Sequence, residues 1–324
     1  MTRYILQRAI AMILTLFAIS TITFFLMHAI PGGPFTREKP LEAAIIAALN
    51  EKYHLDDPLF KQYTDYMGDL LRGDFGPSFK FRGRTVNELI GAGFPITAKI
   101  GILAVLVTVI LSVPMGIISA LKQNKWQDYS FMFLATLGVT VPGFVLASVL
   151  IYVFCVKLGW FPVIWTTDAT GWLSISQYIL PMIALSGYSM SFITRLMRSS
   201  MLDVIGQDYI RTARAKGLSE MRVIMEHALK NAILPVVTYL GPTIAALVTG
   251  SFVIEKMFTI PGIGYQYVDS IGNRDYTMIM GSTNQSLSHA SCSIRSGWAD
   301  VQGSSNKISL GRTMPSFSRA IRSM

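Results

Sequence analysis

Long uncharged apolar runs dominate the pattern of hydrophobic and polar positions along the chain. Five runs contain no Asp, Glu, Lys or Arg: Ala9–Ile30, Ile100–Leu121, Tyr129–Val156, Leu173–Thr194 and Asn231–Ile254. Each is close to the roughly 20 residues that an α-helix needs to cross about 30 Å of hydrocarbon. The runs do not alternate between apolar and polar positions, as the strands of a membrane barrel do. The pattern therefore predicts an all-α integral membrane protein, a polytopic helical bundle with five visible transmembrane helices.

The composition supports this prediction and bounds the class of partner. Hydrophobic residues make up 51% of the chain and charged residues 15%, whereas about a quarter of the residues in a soluble domain are charged. The net charge of +9 raises the alternative of a nucleic-acid partner. However, residues 195–230 hold seven Lys/Arg against four Asp/Glu, and residues 282–324 hold five against one. Positive charge beside apolar spans is typical of a cytoplasmic membrane face, so we expect membrane lipid, and no nucleic acid, as a partner.

Lys and Arg near the ends of the spans predict the orientation. Arg3 and Arg8 precede the first span, Lys122 and Lys125 lie between the second and third, and the loop Gly159–Trp172 contains neither residue type. We therefore expect a multi-pass membrane protein with a cytoplasmic N-terminus. The first span is longer than the 7–15 apolar residues typical of a signal peptide, so we expect it to be retained.

The same pattern divides the chain into four parts. Residues 1–30 contain the first span, residues 31–97 form a small helical periplasmic cap, and residues 98–281 form the transmembrane core, with a cytoplasmic loop at 200–232. Residues 282–324 form a Ser-rich tail with no helical or strand period. Such a segment is typical of disorder.

Local signals add detail to the cap and the spans. Short helices are predicted in the cap at Leu41–Tyr53, Leu59–Leu71 and Val86–Ile90. Kinks are favoured where proline lies inside a span, at Pro114, Pro142, Pro181 and Pro242. Two interpretations of these prolines stay open: they are ordinary membrane-helix composition, or their kinks shape a central pathway.

The chain lacks the sequence patterns of several enzyme classes. It contains no GxxxxGK[ST] phosphate loop, no HExxH and no GxSxG motif. The four histidines, His28, His54, His227 and His289, show no metal-ligand spacing. Cys155 and Cys292 fit neither a disulfide framework nor a zinc site. We therefore expect a protein that is not an enzyme, with no catalytic residue, no metal and no cofactor bound directly. Because the spans also lack charged groups that could couple to an ion gradient, energy must come from elsewhere, or the pore is passive.

The most informative segment runs from Gln207 to Pro235. It reads as a short helix, a glycine break at Gly217, a second helix, and a proline where the next span begins. Arg211 and Arg214 lie three residues apart and share one helix face. Ala213 and Ala215 keep the helix surface small enough for another protein to approach. The alternative interpretation is a solvated basic loop that satisfies the positive-inside rule.

This segment resembles the cytoplasmic "EAA" loop of bacterial ABC importer permeases. Its form YIRTARAKGL…HALKNAILP is characteristic of the oligopeptide/dipeptide/nickel group, and the chain looks most like the oligopeptide permease B subunit. Further motifs of that group occur in the same order at Met1–Arg8, Pro31–Phe35, Lys52–Pro58, Gly73–Phe79, Ala120–Asn124, Ile260–Gly264 and Asn273–Tyr276. The resemblance covers about residues 1–283.

The resemblance implies a permease subunit of an ATP-driven importer that carries peptides across the cytoplasmic membrane. The implied partners are a second homologous permease subunit, two ATPase subunits that use ATP, and a periplasmic or lipid-anchored peptide-binding protein. The outer cap and the loop near Gly262 would face the binding protein. The implied ATPase-coupling residues are Tyr209, Ile210, Arg211, Ala213, Arg214, Ala215, Lys216, Gly217 and Leu218. His227, Asn231 and Pro235 would form the junction between the loop and the next span.

The chain departs from the family after the Asn273–Tyr276 motif. The family has a sixth span there, whereas this sequence becomes polar and Ser-rich from Asn284. A frameshift or degraded gene is one explanation, and a natural five-span variant is the other. The alternatives for function are the same architecture importing nickel or glutathione, a non-functional truncated permease, and a passive channel or membrane scaffold.

Overall fold

The computed structural model describes residues 2–30, 34–35, 49–81, 83–168 and 170–285. Within these ranges the fold is helical and contains no β-sheet. Most of the predicted helix Leu41–Tyr53 and all but four residues of the predicted tail 282–324 lie outside the described residues.

Twelve helices, some continued by π-helical turns, follow one another along the described part of the chain. Their bounds are α1 Thr2–Ala29, α2 Leu59–Leu71, α3 Val86–Leu121, α4 Trp126–Thr140, α5 Gly143–Leu150 continued by a π-helix at Ile151–Lys157, α6 Gly171–Ile205, α7 Asp208–Ala215, α8 Glu220–Arg222 continued by a π-helix at Val223–Ala228, α9 Leu229–Ala232, α10 Leu234–Thr249, α11 Phe252–Met257 and α12 Ile263–Asn273. Residues 276–285 are also helical.

Four of the five predicted spans correspond to helices long and apolar enough to cross a membrane. Among the described residues these are Ala9–Ala29, Val86–Leu121, Gly171–Ile205 and Leu234–Met257. The fifth predicted span corresponds to the pair Trp126–Thr140 and Gly143–Lys157, which bends by 107° at its break. The predicted count of five therefore holds when this bent pair is taken as one span.

The prolines within the spans have different effects. Pro142 precedes the first residue of α5 with a φ of −58° and a ψ of 140°, and it lies at the 107° bend. Pro114, Pro181 and Pro242 lie inside α3, α6 and α10, which continue past them. The kink predicted at Pro142 is thus confirmed as a break that separates α4 from α5.

The predicted separate helix Val86–Ile90 is wrong, because these residues form the first turns of α3. Thr85 starts the helix: its Oγ1 accepts a hydrogen bond from the backbone N–H of Glu88 at 3.2 Å, as an N-cap residue does. Buried Val86 and Ile90 pack against residues near α12, in a cluster that includes Ile263. This packing supports a continuous helix of 36 residues despite the proline at position 95.

A stripe of small residues lets α3 approach its neighbours closely. Its members recur every three or four residues and are buried: Thr97, Gly101, Ala104, Thr108, Ser112, Gly116 and Ala120. A Cβ atom at Gly101 would overlap the backbone carbonyl of Leu247 in α10. A Cβ atom at Gly116 would lie 2.8 Å from the carbonyl oxygen of Thr194 in α6. Small residues in such stripes are a common means of packing helices in membranes.

The first residues of the predicted tail continue the fold. Asn284 is buried; its Nδ2 donates to the hydroxyl of Tyr66 at 2.9 Å, and its Oδ1 accepts from Ser20 Oγ at 2.6 Å. These bonds connect the helix at 276–285 to α1 and α2. Asn284, which marks the start of the polar sequence, is therefore a fully bonded interior residue.

Candidate functional site

The predicted coupling helix is present as α7, and one of its faces is buried. Ile210 is fully buried and Ala213 nearly so, and both belong to a cluster that includes Met201 of α6 and Val223 of the following π-helix. Because Ala213 faces this cluster, the small exposed surface predicted from Ala213 and Ala215 is formed by Ala215 and not by Ala213. The helix is thus attached to the transmembrane core by an apolar face.

The opposite face of α7 is exposed and polar. Its exposed residues are Tyr209, Arg211, Thr212, Arg214, Ala215 and Lys216. Arg211 Nη1 lies 3.6 Å from an oxygen of Asp208, in the first turn, where an acidic group also suits the helix dipole. Exposed pairs of this kind contribute little to stability, so the Arg211 guanidinium is available to a partner.

Arg214 is held more firmly than Arg211. Its Nη2 and Nε donate to the two carboxylate oxygens of Glu220 at 2.6 and 3.1 Å. These hydrogen bonds lower the pKa of Glu220 below its ordinary value and raise the pKa of Arg214. The pair connects α7 to α8 across the glycine turn.

At the predicted glycine break, Gly217 adopts the left-handed conformation, with a φ of +77°. Its N–H donates to the carbonyl of Arg214 at 2.9 Å and closes the end of α7. No atom lies within 4 Å of the place where a Cβ would stand, so the requirement for glycine is conformational rather than steric. Leu218, the next residue, is partly buried against the same cluster as Ile210.

The predicted junction residues lie where the loop returns to the membrane core. Asn231 Nδ2 donates to the Tyr209 hydroxyl at 2.8 Å, which brings two of the predicted residues together. Pro235 lies in the first turn of α10, as predicted. His227 lies in the π-helix, and its Nδ1 is buried without a hydrogen-bond partner in the described part of the chain. No pattern of hydrophobic and polar positions in the sequence predicts this π-helix.

Sequence reasoning missed an ion pair with a buried carboxylate at the same end of the molecule. Arg198 of α6 donates from Nε and Nη2 to the two oxygens of Asp128 in α4, each at 2.7 Å. Asp128 also accepts from Ser119 Oγ and, at 3.0 Å, from the backbone N–H of Asn124. The available signal was that Asp128 directly precedes one uncharged run and Arg198 follows the next.

At the opposite end, Asp275 connects the segment at residues 78–80 to the last described helix. It is 1% exposed, and it accepts hydrogen bonds from Ser78 Oγ at 2.5 Å and from the backbone N–H groups of Phe79 and Lys80, each at 3.2 Å. It also accepts from the N–H of Met278 at 3.3 Å, as a helix N-cap does.

Asp269 forms a second polar attachment nearby. Lys80 and Lys256 both donate to its carboxylate, the latter at 3.4 Å. Burial alone would raise the pKa of Asp269, but the two ammonium groups more than offset it and hold the pKa below its ordinary value.

The Gly262 loop is built around a buried carboxylate. Glu255 accepts from the N–H of Gly264 at 2.8 Å and from that of Tyr265 at 3.2 Å, at the N-terminus of α12. A Cβ atom at Gly262 would overlap this carboxylate and the hydroxyl of Thr97. The glycines of the Ile260–Gly264 motif therefore leave room for Glu255.

A cavity of about 260 Å³ opens between α1, α2 and the segment at residues 74–79. Its lining includes aromatic side chains such as Phe24 and Tyr66, and carboxylates at Asp57, Asp65 and Asp69. Burial raises the pKa of Tyr66 to about 12, and the hydrogen bond from Asn284 only partly opposes this shift. Within the described ranges, no group of three or more His, Cys, Asp or Glu could hold a metal ion.

Two family profiles match the chain. The profile of the "Binding-protein-dependent transport system inner membrane component" matches residues 112–294, which is more than half of the chain. The profile of its N-terminal membrane component matches residues 1–101.

Individual relatives support the same assignment. The chain is 47% identical over 283 residues to the dipeptide transport system permease protein DppB of Bacillus subtilis, covering 87% of this chain and 90% of the relative. It is 46% identical over 285 residues to the oligopeptide transport system permease protein OppB of Salmonella typhimurium, covering 87% and 91%.

A solved structure has a similar fold. It is an inward-facing form of the MetNI methionine ABC transporter, with a TM-score of 0.50 and 14% identity over 66% of this chain and 95% of that chain. At this identity the likeness concerns the fold alone. The two profiles and the identity to full-length relatives show that the chain belongs to the family of binding-protein-dependent transport system inner membrane components.

Proposed function

We propose that this chain is the membrane-spanning permease subunit of an ATP-driven importer that carries peptides across the cytoplasmic membrane. The relatives with 45–47% identity are named as dipeptide and oligopeptide permeases, and this identity supports the peptide substrate. ATP is hydrolysed by separate partner subunits, because the chain carries no phosphate-binding loop of its own.

The observation that carries the proposal is the two-faced helix α7. Its buried face, at Ile210 and Ala213, belongs to the same apolar cluster as Met201 in α6 and Val236 in α10. Its other face is polar and exposed. A partner that pushes on the exposed face therefore displaces a packed unit that includes two membrane-spanning helices, because close-packed interiors transmit displacement.

Individual residues then have distinct roles in the docking of the ATPase. Arg211 and Lys216 present exposed positive charge, and Tyr209 presents a ring whose hydroxyl accepts a hydrogen bond from Asn231. Arg214 maintains the loop through Glu220, and Gly217 sets the turn. Ile210 and Leu218 connect the docking face to the core.

The remaining partners are assigned to the other surfaces. A second homologous permease subunit pairs with this chain around a central path, and a peptide-loaded binding protein docks on the outer face, near the Gly262 loop and the cap. The spans carry few charged groups, so the path binds no particular peptide tightly. The binding protein therefore sets the preference for peptide length and sequence.

Uptake by the reconstituted complex tests the proposal. The chain is co-purified with its partner permease and ATPase subunits, placed in proteoliposomes with ATP inside, and supplied with binding protein and a radiolabelled tripeptide. We expect ATP-dependent uptake of the peptide. Uptake of nickel or glutathione instead would replace the peptide assignment, and the absence of a co-purifying ATPase would contradict the permease assignment.

A further inference from the structure

The geometry points to a second connection between the ATPase side and the membrane core: we propose that the Asp128–Arg198 pair is a clamp that makes α4 move together with α6 and the coupling helix. Asp128 and Arg198 would thus be positioning residues for transport. This inference rests on the proposed function, since it concerns how displacement of α7 reaches the spans.

α7 is connected directly to α6. α6 ends at Ile205 and α7 begins at Asp208, so only two residues separate the helices. Ser200 Oγ also donates to the carbonyl of Ala232 at 2.7 Å, which joins α6 to the far side of the loop. Displacement of α7 therefore acts on the cytoplasmic end of α6 from both sides of the loop.

The ion pair lies near this end of α6 and has a fixed geometry. Arg198 lies seven residues before the end of α6, which is about 10 Å along the helix axis. The guanidinium is bidentate on a carboxylate that is 3% exposed and also receives hydrogen bonds from Ser119 and Asn124. A bidentate, charge-assisted contact fixes both distance and orientation, unlike an exposed pair.

α4 also packs along α6 between the ion pair and the bend at Pro142. Arg195 Nη2 donates to Thr136 Oγ1 at 2.9 Å. One turn further, a Cβ at Gly138 would overlap the side chain of Ser191 and lie 2.9 Å from the carbonyl oxygen of Gly187. The two helices therefore touch at backbone distance, with the clamp at their cytoplasmic ends.

A bend in the chain follows α4. The chain turns by 107° between α4 and α5, and Gly143 has no neighbour within 4 Å of its Cβ position. The break separates α4 from α5, so the clamp at the start of α4 acts on that helix by itself. Without the clamp, α4 would be held to α6 at Gly138 and Thr136 but would be free to lag at its cytoplasmic end.

Three variants test the clamp in the complete complex with its partner subunits. Asp128→Asn weakens the clamp and leaves the Arg198 charge without its counter-ion. Asp128→Asn combined with Arg198→Met removes both charges. Lys125→Gln is the matched control, because it removes an exposed charge three residues from Asp128. The measurements are peptide taken up per ATP hydrolysed and the melting temperature of the purified complex.

We expect Asp128→Asn to lower uptake per ATP by roughly 2- to 30-fold, the range that coupling residues typically show. The double variant should regain melting temperature, because it buries no unpaired charge, yet stay uncoupled. Lys125→Gln should behave like the native complex. Native uptake per ATP in the double variant would overturn the clamp and leave the pair with a structural role.

A distance measurement separates this inference from the substrate assignment. In a background with Cys155→Ser and Cys292→Ser, spin labels at the exposed positions Ser130 and Asp203 report the distance between α4 and α6. We expect the same distance with and without an ATP analogue in the native clamp, and two different distances in Asp128→Asn. A nucleotide-dependent distance with the native clamp would contradict the proposal, whereas failure to import peptide with normal ATPase activity would contradict the substrate alone.

Discussion

At the scale of single residues, two positions require glycine, one because of its backbone conformation and the other because of a neighbouring buried carboxylate. At position 217 the backbone has a φ of +77°, which favours glycine. At position 262 a Cβ atom would overlap the carboxylate of Glu255. The two glycines therefore respond to substitution for different physical reasons. The first reason is visible in the sequence as a break in a helical pattern, and the second only in the packed structure.

Gly217→Val provides a test at this scale. A β-branched residue in the left-handed region costs about 1–2 kcal/mol, so we expect the end of α7 to shift and Lys216 and Leu218 to change position. ATPase activity should persist while uptake of peptide falls. The check is the ratio of uptake to ATP hydrolysis in proteoliposomes.

Gly206→Ala is the matched control for this change. Gly206 precedes α7 with a φ of −75°, and the nearest atoms to its Cβ position are 3.8 Å away. An alanine fits there without strain, so the ratio should stay native. If Gly217→Val also preserved the ratio, the coupling role of this turn would be wrong.

At the scale of elements, close approach between helices explains the bundle better than large apolar side chains do. The small-residue stripe of α3 lets α6 and α10 approach to backbone contact, while large side chains such as Ile102, Leu106 and Ile110 stay exposed on the other faces of α3. Lipid tails are as apolar as leucine, so burying such side chains between helices gains little in a membrane.

Gly101→Ala tests this view of packing. The added methyl group overlaps the backbone of α10 at Leu247 and Val248, which cannot move like a side chain. We expect a loss of about 1–3 kcal/mol, the usual range for overpacking, seen as a lower melting temperature in detergent. Gly91→Ala, on the same helix with no atom within 4 Å, should be neutral or slightly stabilising. Equal melting temperatures for the two variants would refute the close contact.

At the scale of the whole molecule, the polar attachments gather at the two ends of the bundle. Asp128 with Arg198 lies near the end of α6 that leads into α7, and Asp275 with Asp269 lies beside the segment at residues 78–80. The uncharged middle between them matches the expectation that charge is costly within hydrocarbon. Polar groups therefore fix the two ends of the bundle, and helix packing connects them.

Accessibility labelling tests the orientation of the whole molecule. In the cysteine-free background, Thr212→Cys on α7 and Thr64→Cys on α2 both place an exposed thiol. A membrane-impermeant maleimide should label Thr64→Cys in intact cells, and Thr212→Cys only after the membrane is opened, because the positive-inside rule places the basic loop in the cytoplasm. The reverse pattern of labelling would overturn the predicted orientation.

Much of this architecture follows from sequence alone because it depends on local pattern. Apolar runs of about 20 residues specify helices that cross a membrane, and four predicted runs fall on such helices. The bounds predicted for Leu59–Leu71 coincide with those of α2, because the proline at its start and the glycine after its end are local signals. The left-handed Gly217 and the proline in the first turn of α10 follow for the same reason.

Tertiary structure decided what depends on residues far apart in the chain. The pairing of Asp128 with Arg198, of Asp275 with Ser78 and of Asn284 with Ser20 joins positions separated by 70, 197 and 264 residues. No local pattern specifies such partners, because each pairing depends on how the helices pack. The burial of Ala213 and the union of Val86–Ile90 with α3 belong to the same class. The sequence by itself determined the helices, their membrane class and the family, whereas the fold alone decided which polar groups hold them together.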